Sequence, residues 1–278
     1  MRFAEVSARS VCILALLAST QLIALQDPAE PSARDQAVML ARVRREALRY
    51  QRELPDFICL QVTTRSVDET GTGQHWRKLD RFEVEDSYVG KFVNHKLIML
   101  NGKPPRKNYQ QLNGFLSESV LHSVGFLPGW LFSAQAKTEF EWVRSDAING
   151  RPVQVFKVHL APADSKFTIS TERRSAVAGI DGFIYVDSMA ATVRRFEIKM
   201  ILPPDAAIQD GAVDIDYDAV SISERQFLLP VKFVVRASFG GTLGRNETQV
   251  VRYQKYAADT TIHFDEPSLE GAIEGATP

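Results

Sequence analysis

Glu139–Leu160, EFEWVRSDAINGRPVQVFKVHL, decides the fold class. Two runs, Glu139–Ile148 and Arg151–Leu160, flank Asn149-Gly150, and Asn-Gly between apolar-containing runs is the strongest short-range signal for a tight hairpin. Both neighbourhoods continue the pattern. On the carboxyl side, Lys166–Arg174, Gly182–Asp187 and Thr192–Met200 read as strands, the last stopped by Leu202-Pro203-Pro204. Val213, Ile215, Tyr217 and Ala219 then alternate with Asp214, Asp216 and Asp218, which predicts a strand with one buried face. Gln226–Ala237 and Glu247–Tyr256 follow, joined through Gly240-Gly241-Thr242-Leu243-Gly244 as a hairpin turn. Pro230 predicts that the first of this pair is an edge or bulged strand.

On the amino side, Ile58, Leu60 and Val62 alternate with Cys59, Gln61 and Thr63. Trp76–Tyr88 and Lys91–Leu100 are further strands, and Asn101-Gly102 is a second tight-turn signal. Ahead of them stands one clear helix, about Ala33–Leu54. Ala33, Ala37, Leu40, Val43, Ala47, Tyr50 and Leu54 form an apolar stripe, and Pro55 ends it. Arg42, Arg45, Arg49 and Arg52 form a second, basic stripe, a candidate surface for anionic lipid or an anionic partner, or simply a solvated face beside Glu46 and Glu53. The expectation is a mainly β (α+β) fold: a large curled antiparallel sheet or incomplete barrel of about ten strands in one meander. The N-terminal helix and a short inserted helix cover it.

The inserted helix belongs to Leu112–Phe132, which interrupts the strands. Leu116, Val120 and Val124 recur at helical spacing, and Phe126, Trp130 and Phe132 follow in a bulky stretch where Pro128-Gly129 marks a turn. This segment either plugs the sheet as fixed core or forms a lid over an apolar cavity that accepts a lipid or acyl chain.

Composition narrows the class. The 278 residues are 45% hydrophobic and 24% charged, with 33 Lys+Arg against 34 Asp+Glu. That balance is globular and a poor footprint for nucleic acid. No stretch reaches the ~20 apolar residues of a membrane-spanning helix. Residues 1–25 read as a cleaved secretory signal, with Arg2 and Arg9 before the apolar Val11–Ala18, and a linker, Gln26–Ser32, follows. The expected organisation is then one curled-sheet domain over 33–266 and a loose tail over 267–278, exported to a bacterial periplasm or exterior. With Cys12 in the signal, Cys59 stands alone, which excludes an internal disulfide and predicts a buried inert thiol.

Catalytic patterns are missing. There is no H-E-x-x-H or G-x-S-x-G, and His75, His95, His122, His159 and His263 are scattered singly. Asp214-Ile215-Asp216-Tyr217-Asp218 starts like a calcium loop, but Ala219 replaces its Gly and Arg225 its bidentate Glu. No cofactor or metal site is expected. Asn246-Glu247-Thr248 is a glycosylation sequon.

Leu54-Pro55-Asp56-Phe57-Ile58-Cys59, Lys96-Leu97-Ile98 with Asn101-Gly102-Lys103, Gly182–Asp187 with Val193-Arg194-Arg195, and Phe227-Leu228-Leu229-Pro230 carry a family likeness. Over Tyr50–Tyr256 the chain resembles an uncharacterised family of bacterial secreted proteins. The order of strand, Asp187, short turn and return strand from Val193 also resembles the periplasmic lipoprotein-carrier superfamily. That resemblance implies an incomplete antiparallel barrel whose helices close an apolar cavity. The functional expectation is an exported, non-enzymatic binding protein for a lipid or acyl chain, or for a lipidated protein. The alternative is a cell-envelope interaction module with a solid core, working through a sheet edge or the arginine stripe. An enzyme would require His75, His95, His122 and His159 to converge in space.

Overall fold

The computed structural model describes residues 30–90, 92–112, 127–170 and 175–257. The signal sequence, Leu116, Val120, Val124, Phe126, His122, His263 and the 267–278 tail lie outside them.

Helix α1 spans Ala33–Glu53. Ser32 caps it by accepting from the Asp35 backbone N–H at 3.2 Å, and the Leu54 N–H closes the last turn on the Tyr50 carbonyl. Ser32→Ala removes the acceptor for an otherwise orphaned N–H and is expected to cost about 1 kcal/mol of stability, read by urea unfolding. Only the later part of the apolar stripe meets the core. Val43 and Ala47 are buried, and Met39, Leu40, Tyr50 and Leu54 pack against the same cluster. Ala33 and Ala37 remain exposed.

The strands are β1 (Phe57–Asp68), β2 (Arg77–Val89), β3 (Phe92–Leu100), β4 (Glu139–Ile148), β5 (Arg151–Leu160), β6 (Thr168–Ser170), β7 (Ser175–Val177), β8 (Gly179–Asp187), β9 (Val193–Ile201), β10 (Asp210–Ile222), β11 (Arg225–Phe239) and β12 (Thr242–Lys255). Ten of them form one antiparallel sheet in the order β3-β2-β1-β12-β11-β10-β9-β8-β5-β4. The sheet is not closed, and β3 and β4 are its edges. Within the segment read as the single strand Lys166–Arg174, the described residues give only short β6, which pairs with β7 outside the main sheet.

The order corrects the expected single meander. The first strand pairs with the last, Gln61 opposite Val250 and Thr63 opposite Thr248. The chain therefore runs outward from β1 to one edge, passes to β4 at the opposite edge, and returns strand by strand to β12. Residues 101–138 make that passage. Pro230 takes the bulged alternative rather than the edge: β11 lies inside the sheet between β10 and β12. Proline is tolerated there because the β10–β11 register slips between Asp216 and Tyr217, and the β11–β12 ladder begins only at Lys232.

Strand alternation sends one face of the sheet into the main core and the other outward. The inner face carries Phe156, Val158 and Leu160 of β5, Ile180, Ile184 and Val186 of β8, Phe196 and Ile198 of β9, Val213, Ile215 and Tyr217 of β10, and Phe233 and Val235 of β11. Fully burying each such large side chain is worth about 1.5–3 kcal/mol. On the outer face of β10, Asp214 accepts from Arg236, Asp216 from Arg195 at 2.6 Å, and Asp218 from Arg194 at 2.8 Å. These aspartates hold arginines on neighbouring strands rather than forming a calcium loop.

Candidate functional site: a cleft under helix α1

Two covering elements meet the inner face. The first is α1. The second is a helical turn at 127–131, whose Leu127 and Leu131, with the following Phe132, are buried in the main core. Pro128-Gly129 thus sits inside a helical turn rather than in the expected irregular bend. The turn joining β8 to β9 completes the frame. Asp187 accepts from the Met189 and Ala190 backbone N–H groups at 2.9 Å each, and Arg42 of α1 donates to the Met189 carbonyl at 2.9 Å.

Between α1 and the sheet lies a cleft of about 260 Å³. Val43, Ala47 and the Tyr50 ring line it from the helix. Val193 of β9, Tyr217 of β10 and Phe227 and Leu228 of β11 line it from the sheet, and Pro128 from the helical turn. Charge gathers at its rim, where Arg49 pairs with Glu46 at 2.5 Å and Arg225 with Glu53 at 3.3 Å. Both pairs are solvent-exposed enough to exchange partners at little cost.

Below the cleft the chemistry is quiet. Burial pushes the Tyr50, Tyr217 and Tyr253 phenols well above their ordinary range, and burial raises the Cys59 thiol. All four keep their protons at neutral pH. Tyr253 donates to the Pro230 carbonyl at 2.6 Å, whereas the buried Tyr50 hydroxyl has no hydrogen-bond partner.

Beyond the cleft, on β1, β2 and β12, the inner face turns polar. Thr63 and Thr248 join hydroxyls at 2.8 Å, and Arg65 grips Asp80 with two nitrogens at 2.7 and 2.5 Å. Asp86 is buried and accepts from Gln61, while His95 Nδ1 lies 2.6 Å from its other oxygen. The Tyr109 ring covers His95 at 5.2 Å between centroids. Asn246 is 1% exposed, so the sequon is not presented to a glycosyltransferase in the folded protein.

Of the sequence-derived candidates, the structure brings Arg49 to the cleft, whereas Trp130 and Phe132 follow Pro128 in the chain and are not among its lining residues. Trp130 is half-buried and Phe132 buried. Arg42 is tied to the β8–β9 turn, and Arg45 and Arg52 are exposed. His95 on β3 and His159 on β5 sit near opposite edges of the sheet and do not converge. Among the described residues, no group of His, Cys, Asp and Glu could hold a metal ion. The sheet half of the cleft went unnoticed in the sequence, as did Asp86. Its signal was present in β2, where Phe82, Val84, Asp86 and Tyr88 share one face and a lone carboxylate interrupts an apolar row.

No family model matches the chain, and no curated protein matches it. Among solved structures it is similar to a LolA superfamily protein from Nitrosomonas europaea, at 8% identity and a TM-score of 0.39, covering 78% of this chain and 94% of that one. It is also similar to a domain described as an outer membrane lipoprotein-sorting protein from Vibrio parahaemolyticus, at 9% identity and a TM-score of 0.33, covering 79% and 92%. The likeness is architectural and weak. No helix among the described residues is long and apolar enough to cross a membrane.

Proposed function

We propose that the protein is an exported, non-enzymatic carrier that holds a lipid or acyl chain between α1 and the inner face of the sheet. The observation that carries this reading is the division within the cleft: its walls are apolar or aromatic apart from Thr192 and Gln226, and its charges belong to the Glu46–Arg49 and Glu53–Arg225 pairs. Ligand sites have this character, with apolar walls and a few placed polar groups. A volume of about 260 Å³ lies just below the ~300–1,000 Å³ of ordinary ligand pockets, which suits one chain rather than several. The non-enzymatic reading is supported by the lack of a catalytic pattern in the sequence. Export is supported by the signal-like pattern of residues 1–25.

Ala47 is the residue to test. It lines the cleft and is buried, so a large side chain there must occupy the ligand's space. Ala47→Trp is expected to cost about 1–3 kcal/mol through overpacking. It should also lower the affinity of an apolar dye such as N-phenyl-1-naphthylamine at least tenfold. A folded variant that binds the dye as the parent does would remove the cleft from consideration.

One observation favours the envelope-interaction alternative. Edge strand β3 presents Phe92 at 77% exposure, and an open edge invites a further strand. Under that reading neither the parent nor Ala47→Trp binds the dye, and the natively purified protein yields no lipid on extraction.

A further inference from the structure

We propose that the ligand of the α1 cleft is a single-chain acyl compound whose carbonyl oxygen accepts a hydrogen bond from Tyr50 Oη. This deepens the carrier reading and rests on it. Tyr50 stands on the cleft-facing side of α1, four residues after Glu46 and three before Glu53, so all three lie along one stripe of the helix. Tyr50 lines the cleft, and its hydroxyl is buried without a hydrogen-bond partner. A buried donor left unpaired is rare in a native protein and asks for an explanation. A hydrocarbon in the cleft would leave it unpaired, and an alcohol would bring a second donor that itself needs an acceptor. A carbonyl brings acceptor capacity alone.

The placement orders the whole ligand. With the carbonyl at Tyr50, the chain runs among Val43, Ala47, Val193 and Phe227, and the group beyond the carbonyl emerges between the Glu46–Arg49 and Glu53–Arg225 pairs. Reaching the hydroxyl requires α1 to rise from the sheet. The cover is suited to that movement. Among the described residues the buried hydroxyls without a partner are Tyr50 on α1, Ser188 in the turn that Arg42 holds, and Ser133 and Thr138, which follow the 127–131 turn in the chain. The closed cover leaves hydrogen bonds unmade, whereas the inner face of the sheet pairs its threonines.

The test uses the full chain and Tyr50→Phe, with N-phenyl-1-naphthylamine displaced by methyl dodecanoate or by pentadecane, which has the same number of heavy atoms. The variant is expected to bind the ester roughly five- to tenfold more weakly and the alkane within about twofold of the parent. Equal changes for both, or no change for the ester, would overturn the carbonyl contact and leave the carrier reading standing. Displacement by neither in the parent would instead remove the carrier reading. Should Tyr50→Phe fail to fold, the parent alone decides. The infrared band of methyl dodecanoate labelled with carbon-13 at its carbonyl should move below its position in hexane on binding, and an unmoved band refutes the contact.

Discussion

His95→Ala is expected to destabilise the protein by about 3–5 kcal/mol at pH 7.5, and by much less near pH 4. Asp86 on β2 is 1% exposed. Burial raises its carboxyl above the ordinary carboxylate range, Glu85 adds to the rise, and His95 and Gln61 draw it back down. A raised carboxyl means that the folded chain holds this proton more tightly than the unfolded one. Stability from that proton is complete below the unfolded value and is lost as pH climbs towards the folded value. His95 offsets the loss. Without it, Asp86 keeps Gln61 but loses the imidazole that draws its carboxyl down, so carrying a charge at this buried position costs more. The penalty must therefore grow as pH rises above the ordinary carboxylate range. Urea unfolding of parent and variant at pH 4 and 7.5 measures it. An equal loss at both would show that His95 matters only through its packing against Tyr109.

Asp86 also marks where the sequence stops being readable. Local chemistry was legible: Asn101-Gly102 and Asn149-Gly150 take positive φ values of 51° and 74°, and 50° and 77°. That is the geometry their residue types favour in tight hairpins. Helix α1 was legible from its stripe and from Pro55. The order of the strands was not, because the β1–β12 pairing joins residues such as Thr63 and Thr248 with no local signal between them. Pro230 was ambiguous for the same reason. A bulge and an edge satisfy a missing N–H equally well, and only the register shift at Tyr217 distinguishes them. The cleft was half legible. Val43, Ala47 and Tyr50 follow from helical periodicity, whereas Val193, Tyr217 and Phe227 come together only once β9, β10 and β11 are neighbours. The buried cluster of Gln61, Asp86 and His95 likewise needs β1, β2 and β3 side by side.

Topology also separates the two aromatic residues that the sequence grouped as one cover. Phe132→Ala is expected to cost about 3–5 kcal/mol of stability, because Phe132 is buried in the main core. It stacks on Phe140 of β4, with ring centroids 4.7 Å apart and planes within 5°. Aromatic pairs add about 0.5–1.5 kcal/mol beyond area, so the upper part of that range applies. Trp130 is only half-buried and packs against the core from outside. Its truncation removes less buried surface, and Trp130→Ala should cost roughly half as much. The roles reverse for ligand retention. Phe132 is held in the main core, whereas the half-buried Trp130 follows two residues after Pro128, which lines the cleft. Trp130→Ala should therefore keep most of its stability yet release bound dye faster, as expected for a marginally packed cover. Urea melts and stopped-flow dye release on both variants separate the roles. If Trp130→Ala loses as much stability as Phe132→Ala and releases dye at the parent's rate, residues 127–132 are fixed core, and movement over the cleft falls to α1 alone.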